Sequence, residues 1–320
     1  MKVYNSDKTE KEACVLALGS FDTIHLGHRK LIDIAVEYGH RNSISAGVYM
    51  FASRPAHMLN KDALKDVYTA VQRERFFEQL GVDFVYYENF DAEFMQKTPE
   101  EFVAYLIEKL EVRAVVVGFN YRFGKNAAGD GVLLKQLCAL YDVEVIVVPE
   151  VCDKTGSTIS STKIRHLLAQ GNLEDVNALL GRYYAMEGKV KKDRGIGRSL
   201  GFPTANILPD PKIAVPGNGV YATVVCVDDN IYPAITNIGV RPTYGLHMQV
   251  IESHLLQFNG DLYEKSIQVC FLKKMRDERA FADEIALKMQ IQSDKNEAEA
   301  YFSKINLETF QNRLEKRVEM

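Results

Sequence analysis

The sequence predicts an α/β domain of parallel strands and crossover helices, followed by a smaller antiparallel β domain that ends in helices. Three observations carry this. Short apolar runs alternate with helix-period segments through the first half. After Arg182 the apolar period becomes two, with turn signals at Asp228-Asp229-Asn230 and Asn259-Gly260-Asp261. Beyond Asp277 the helix period returns. Length agrees, since 320 residues against about 150 for a typical domain suggest two domains.

The candidate strands of the first half are Ala13–Gly19, Ala46–Phe51, Asp83–Tyr87, Ala114–Gly118 and Val143–Val148. Their unbroken apolar runs suit strands covered on both faces. Thr98, Pro99 and Glu101 supply an N-cap, a proline at the first helical position and a capping-box acid ahead of Phe102, Tyr105 and Leu106. Two helical stretches follow between Ser160 and Leu180, separated by Gly171 and Asn172, and the second stops at Gly181. The texture change near 182–187 sets the expected domains at 1–184 and 185–320. The second reads as a small barrel or sandwich. Two helices are expected to close it, one through Phe281, Ile285 and Met289, the other through Phe302, Ile305, Phe310 and Leu314.

Composition excludes several classes. Thirty-nine basic against 43 acidic side chains leave a net charge of −4, so no basic field points to nucleic acid or an anionic membrane as a partner. Hydrophobic residues at 47% and charged residues at 26% are ordinary for a globular chain. No apolar run approaches the ~20 residues of a spanning helix. The polar start MKVYNSDKTEKEA lacks the apolar core of a secretory signal, and the five cysteines, Cys14, Cys138, Cys152, Cys226 and Cys270, are scattered without a CxxC pair. A cytoplasmic protein without a disulfide framework is expected. The sequence sets no oligomeric state.

Two constellations carry chemistry. In the string GSFDTIHLGH, Gly19 to His28, an apolar strand runs into a turn with His25 and His28 three residues apart. At a helix start such a pair sits beside unpaired backbone N–H groups, which suits a nucleotide phosphate, and Gly27 lets the backbone come close. A zinc site has no further ligands nearby in sequence. Gly118-Phe-Asn120-Tyr-Arg-Phe-Gly124 and Ser160-Ser161-Thr162-Lys163-Ile164-Arg165 stand where a doubly wound sheet places its ligand, after strand ends. Alone, the second string also reads as an ordinary serine-capped helix.

The other constellation is Arg194-Gly-Ile-Gly197-Arg198-Ser-Leu-Gly201-Phe-Pro203-Thr204-Ala-Asn206, a glycine-rich stretch without the GK[ST] of a Walker loop. It reads as a phosphate-approaching loop or as a plain turn between strands. Thr204 and Asn206 offer neutral oxygens at alternate positions and can hold Mg2+. Farther on, Glu252 and His254 share one strand face. Spacing alone makes Glu252 a surface acid on an alternating strand.

In order, GxFDxxHxGH, GxNxxFG, SSTxIR, GFPTAN, NIGxRPT and ExHLLxF span nearly the whole chain and resemble the bacterial bifunctional riboflavin kinase and FAD synthetase family. The resemblance implies a Rossmann-like nucleotidylyltransferase domain and a six-stranded flavokinase barrel with a C-terminal helix. It implies two ATP-dependent, Mg2+-requiring steps, riboflavin to FMN in the second domain and FMN to FAD in the first. Glu252 would then be the general base, with Thr204 and Asn206 holding metal and phosphates, and Gly197, Arg198, Gly201 and Pro203 completing the ATP loop. Arg276 would lie on the flavin side. In the first domain, His25 and His28 would stabilise phosphate charge, Gly19, Phe21, Asp22 and Gly27 would shape the nucleotide turn, and Asn120 would position the nucleotide. Ser161, Thr162 and Arg165 would hold the leaving pyrophosphate.

The chain departs from the family's usual pattern at Thr23, commonly glycine, and at Phe51-Ala52-Ser53-Arg54-Pro55, commonly FxPHP. It also departs at Lys191-Lys192-Asp193-Arg194 and at Glu264, again commonly glycine. Two alternatives follow: a riboflavin kinase whose first domain adenylylates weakly or not at all, and a flavin or nucleotide sensor without turnover.

Overall fold

Two six-stranded sheets organise the chain, one in each of its compact units, Met1–Ser161 and Thr162–Met320. The structure, a computed structural model, describes residues 1–6, 12–53, 65–192, 196–228, 230–243 and 246–305.

The first unit runs β1 (Lys2–Asn5), β2 (Cys14–Leu18), α1 (Leu26–Asn42), β3 (Ser45–Phe51), α2 (Ala70–Gln79) and β4 (Phe84–Glu88). It continues with α3 (Pro99–Leu110), β5 (Val112–Gly118), α4 (Gly131–Ala139) and β6 (Glu144–Val148). The strand order is β1-β4-β3-β2-β5-β6, and every neighbouring pair is parallel. Helices cover both faces. Leu16 and Leu18 of β2 pack with Phe102, Leu106 and Leu134, while Val15 and Ala17 pack with Leu31, Ile32 and Phe77. That is why the strands read as continuous apolar runs. Thr98 caps α3 as expected: Glu101 accepts from the Thr98 N–H at 2.8 Å and Thr98 Oγ1 from the Glu101 N–H at 3.3 Å.

Strand β1 was not expected. Only Tyr4 of its four residues is buried, so it carries almost no apolar pattern, and it joins the sheet through backbone pairing with β4.

The second unit contains most of α5 (Ser161–Gln170), then α6 (Leu173–Leu180), β7 (Tyr184–Lys189), α7 (Ile196–Ser199), β8 (Ala205–Ile207), β9 (Gly219–Val227), β10 (Asn230–Thr243), β11 (Leu246–Leu255), β12 (Ser266–Arg276) and α8 (Glu284–Phe302). Gly181 ends α6 in the left-handed region. The antiparallel sheet has the order β7-β12-β9-β10-β11-β8. Its ends meet where the Lys191 N–H donates to the Asn206 carbonyl at 2.8 Å, so the sheet curls into a barrel, not a sandwich. Inside, three fully buried hydroxyls on neighbouring strands are chained. Thr223 Oγ1 lies 2.7 Å from Thr236 Oγ1, and Thr236 Oγ1 lies 2.8 Å from Ser253 Oγ.

The closing helices differ from expectation. Phe302 belongs to the one helix α8, on which Ile285 and Met289 are exposed while Asp294, Ala298 and Phe302 are buried. The docked face includes an acid, which a purely apolar stripe passes over. Phe310 and Leu314, expected in a second helix, lie outside the described residues.

The hydroxyl chain generates a stability test. Thr236→Val keeps the shape but leaves Thr223 and Ser253 without their middle partner, and is expected to lower the unfolding free energy by about 1–3 kcal/mol in denaturant titration.

Candidate active sites

In the first unit, chain order reverses between β2 and β5: from β2 the chain moves out through β3 to β4, and from β5 it moves the other way to β6. The crevice beyond the carboxyl ends of those two strands is where an open α/β sheet takes a ligand. The Gly19–His28 turn follows β2 and Asn120 follows β5, so the two strings flank this crevice. Asn120 is exposed there.

His25 is the N-cap of α1, and its Nδ1 accepts the His28 backbone N–H at 3.1 Å. With Nδ1 occupied as an acceptor, a neutral His25 carries its proton on Nε2 and can donate there. The two imidazoles stack with centroids 3.8 Å apart and planes 9° apart. A side chain at Gly27 would begin 3.0 Å from the His25 ring. Phe21 is fully buried, set edge-on to both His28 and Phe77, and Asp22 Oδ1 accepts the Val67 N–H at 3.0 Å. Phe21 and Asp22 therefore shape the turn by packing and bonding inward, leaving backbone to face the crevice.

Phe21 and Ile24 both have φ of 43°, a costly conformation for such side chains. Thr23, between them, is not in the left-handed region. Glycine's freedom is thus not what position 23 requires, and Thr23 Oγ1 instead lies 3.0 Å from Ser161 Oγ. Ser161 opens α5. Thr162 and Arg165 follow in its first turns, exposed and half-buried respectively, within the second compact unit.

Beside the carboxyl ends of β3 and β4 lies an aromatic group that sequence reasoning missed. Phe51 packs edge-on to Phe90 and Phe94 at 4.9 and 5.4 Å, Phe94 meets Tyr105 at 5.8 Å, and Tyr121 stacks on Phe123. The buried Glu88 accepts from Tyr105 Oη at 2.7 Å and Tyr49 Oη at 3.1 Å. Burial first, then this carboxylate, pushes both hydroxyls well above the usual tyrosine range. The rings come from β3, α3 and the stretches after β4 and β5, so no single local spacing announces the group. Arg54 and Pro55 lie outside the described residues.

The second unit holds a cavity of about 330 Å³. Its floor is one transverse row across five strands: Asn206 (β8) opposite Glu252 (β11), Glu252 opposite Asn237 (β10), Asn237 opposite Val220 (β9), and Val220 opposite Arg276 (β12). All five line the cavity, as do Gly197 and Thr204. Two register irregularities in β12, the second between Lys274 and Arg276, bring Arg276 opposite Val220. Asn237 opens the NIGxRPT string, and its place beside Glu252 depends on cross-strand register, which no local spacing shows.

At the cavity mouth the glycine-rich stretch is a short helix and turn. A side-chain carbon at Gly197 would stand 2.5 Å from the Phe202 carbonyl oxygen, and Gly201 has φ of 90°. Both positions need glycine. His254 Nδ1–H donates to the Pro203 carbonyl at 2.9 Å, and burial holds its imidazole below the usual histidine range. The side chain of Arg198 and the whole of Arg194 lie outside the described residues.

On the far side, α8 supplies Leu287, Ile291 and Asp294 to the cavity wall. Asp294, 3% exposed, accepts from Arg276 Nε at 2.9 Å and from its Nη2 at 2.7 Å. Gln290 adds a third bond to the same carboxylate at 2.5 Å. Away from the cavity, two of the departures answer each other: Glu264 adopts φ of 62° and pairs with Lys191 at 3.4 Å and Lys189 at 3.7 Å.

Comparison with known proteins places these geometries in context. Residues 7–163 match the family described as FAD synthetase and residues 180–302 that described as riboflavin kinase. The bifunctional riboflavin kinase/FMN adenylyltransferase of Escherichia coli strain K12 is 35% identical over 94% of this chain and 96% of its own. The protein of the same name from Bacillus subtilis strain 168 is 34% identical over 93% and 95%. A crystal structure described as a macrolide-efflux protein from Streptococcus pneumoniae superposes with a TM-score of 0.86 at 29% identity, covering 93% of this chain and 99% of that one. Among the described residues no helix is long and apolar enough to cross a membrane. Two family matches in the order of the two sheets, with relatives of 34% and 35% identity matched over nearly their whole length, assign the chain to the bifunctional riboflavin kinase/FMN adenylyltransferase family.

Proposed function

We propose that the chain phosphorylates riboflavin to FMN in its second domain and adenylylates FMN to FAD in its first, using ATP in both steps. The observation that carries this reading is the row of Asn206, Glu252 and Arg276 along one cavity. It sets a carboxylate between oxygen donors on one side and a cation on the other. Functionally, residues 1–184 form the adenylylating part and 185–320 the kinase, although α5 and α6 pack within the second compact unit.

In the kinase step Glu252 accepts the proton of the ribityl 5′-hydroxyl as that oxygen bonds to the γ-phosphorus and ADP departs. The Gly197–Gly201 turn borders the cavity where the phosphates are placed, and Gly197 is required there by the Phe202 carbonyl packed against it. Thr204 and Asn206 present a hydroxyl and a carbonyl oxygen to the same cavity as the Glu252 carboxylate, a hard, neutral donor set that fits Mg2+. Such an ion, when bound, supplies charge neutralisation for the phosphates. Apolar walls from Leu200, Phe202, Ile235 and Ile291 suit a flavin ring, and Asp294 holds the Arg276 guanidinium towards it.

In the adenylyl step the FMN phosphate attacks the α-phosphorus of ATP and pyrophosphate leaves. Positioning and charge stabilisation suffice, with no covalent intermediate. His25 donates from Nε2 and His28 stands stacked on it, while Asn120 positions the nucleotide from across the crevice. Ser161, Thr162 and Arg165 take the leaving pyrophosphate, and the Thr23 hydroxyl steadies Ser161. The aromatic group around Phe51, Phe94 and Tyr105 offers flat faces for the flavin. A cytoplasmic location accompanies this reading, supported by cysteines that include no disulfide among the described residues.

Incubation with riboflavin, ATP and Mg2+, followed by chromatography of the products, is expected to give FMN and then FAD. FMN without FAD would return the reading to a kinase with an inactive first half. His28→Ala is expected to lower FAD formation by about 10²–10³-fold while FMN still accumulates. His25→Asn keeps an N-capping oxygen but loses the Nε2 donor, so the same loss with an unchanged melting curve is expected. Glu252→Gln is expected to lower FMN formation by about 10²–10⁴-fold with FAD formation from supplied FMN unchanged. Wild-type turnover in that variant would remove Glu252 as the base. Asp294→Asn is expected to raise the riboflavin KM about tenfold, the worth of one charge-assisted hydrogen bond. An unchanged KM would mean that Arg276 does not need its partner.

A further inference from the structure

The register of the barrel points to a catalytic group that neither motif spacing nor the reading above uses. Asn237 sits directly opposite Glu252 on the neighbouring strand and lines the same cavity. Side chains so paired have their Cβ atoms about 4.5–5.5 Å apart, near enough for a carboxylate and a carboxamide to bond to one shared atom between them. Asn237 is half-buried, and no described residue hydrogen-bonds to its side chain. A carboxamide held on a strand, turned into a cavity and unsatisfied by the described residues has its bonding capacity kept for a ligand.

We propose that Asn237 binds the substrate hydroxyl that Glu252 deprotonates and orients it for attack on the γ-phosphorus. This rests on the kinase reading given above. A hydroxyl has one proton and two lone pairs. Its proton points to Glu252, one lone pair accepts from Asn237 Nδ2–H, and the second is left aimed at phosphorus. As the proton passes to the Glu252 carboxylate, the oxygen–phosphorus bond forms and the bond from phosphorus to the ADP oxygen breaks. The amide keeps its own protons throughout. Fixing the hydroxyl between two neighbouring strand positions limits its rotation about the terminal carbon–oxygen bond, which a lone acid on one strand cannot do.

The test uses the full-length chain with Asn237→Ala and the isosteric Asn237→Asp, which removes the donor and preserves the shape. FMN formation is followed at varied riboflavin and ATP, and the melting curve of each full-length variant reports whether its barrel is folded. The expected result is a fall in kcat for FMN formation of about 10²-fold in both variants, with riboflavin KM within about threefold of wild type. A kcat within about threefold of wild type in Asn237→Asp overturns the proposal. So does a rise in KM with kcat unchanged, the signature of an amide that contributes only uniform binding. If Asn237→Ala loses its fold, Asn237→Asp decides alone. A wild-type chain that makes no FMN would instead overturn the kinase reading, and with it this role.

Discussion

Cross-strand register in the barrel is the constraint on which the kinase site depends. Asn206, Glu252, Asn237, Val220 and Arg276 come from five strands and meet only because each strand is held opposite one particular residue of the next. Side chains alternate along a strand, so a slip of one residue would turn Glu252 inward and bring Ser253 to the cavity. The buried Thr223, Thr236 and Ser253 hydroxyls lie on the reverse face of three of these strands, and they can bond to one another in only one register. Polar groups in a barrel core, costly if mismatched, thereby hold the row on the other face in place.

The first unit solves its positioning problem differently. Its histidines are on a turn, and a turn has no ladder to fix it. Two residues with left-handed backbone, Phe21 and Ile24, bend the chain sharply between β2 and α1, at about 1–3 kcal/mol each. Burial of the Phe21 ring, the Asp22 bond to Val67 and the His25 cap on α1 offset that strain. Thr23 then ties the turn to Ser161, a residue far along the chain.

What could be read from sequence follows from the range of each interaction. Strands β2 to β6 announce themselves through apolar runs, and Thr98 marks a helix start, because both signals are local. Strand β1 escapes because an edge strand joined by backbone bonds needs little apolar pattern. The place of Asn237 beside Glu252, and the turning of Arg276 into the cavity, are set by pairing and by irregularities in β12, neither of which has a local spacing. The docked face of α8 was misjudged for another reason. Asp294 is buried by its bond to Arg276, whereas Ile285 and Met289, which carry the apolar helix period, face solvent. At Thr23 the departure from the usual residue adds no left-handed backbone, because the positive φ angles fall on Phe21 and Ile24.

The wall that α8 gives to the cavity has a consequence for synthesis. Residues 1–161 form a contiguous unit that can fold as soon as it leaves the ribosome, whereas the kinase pocket has no wall until Leu287, Ile291 and Asp294 have emerged. At a synthesis rate of about 5–20 residues/s that separation is on the order of 10 s. In each newborn molecule, the sheet that carries His25, His28 and Asn120 is therefore complete before the cavity around Glu252 is walled, while Thr162 and Arg165 await the second unit.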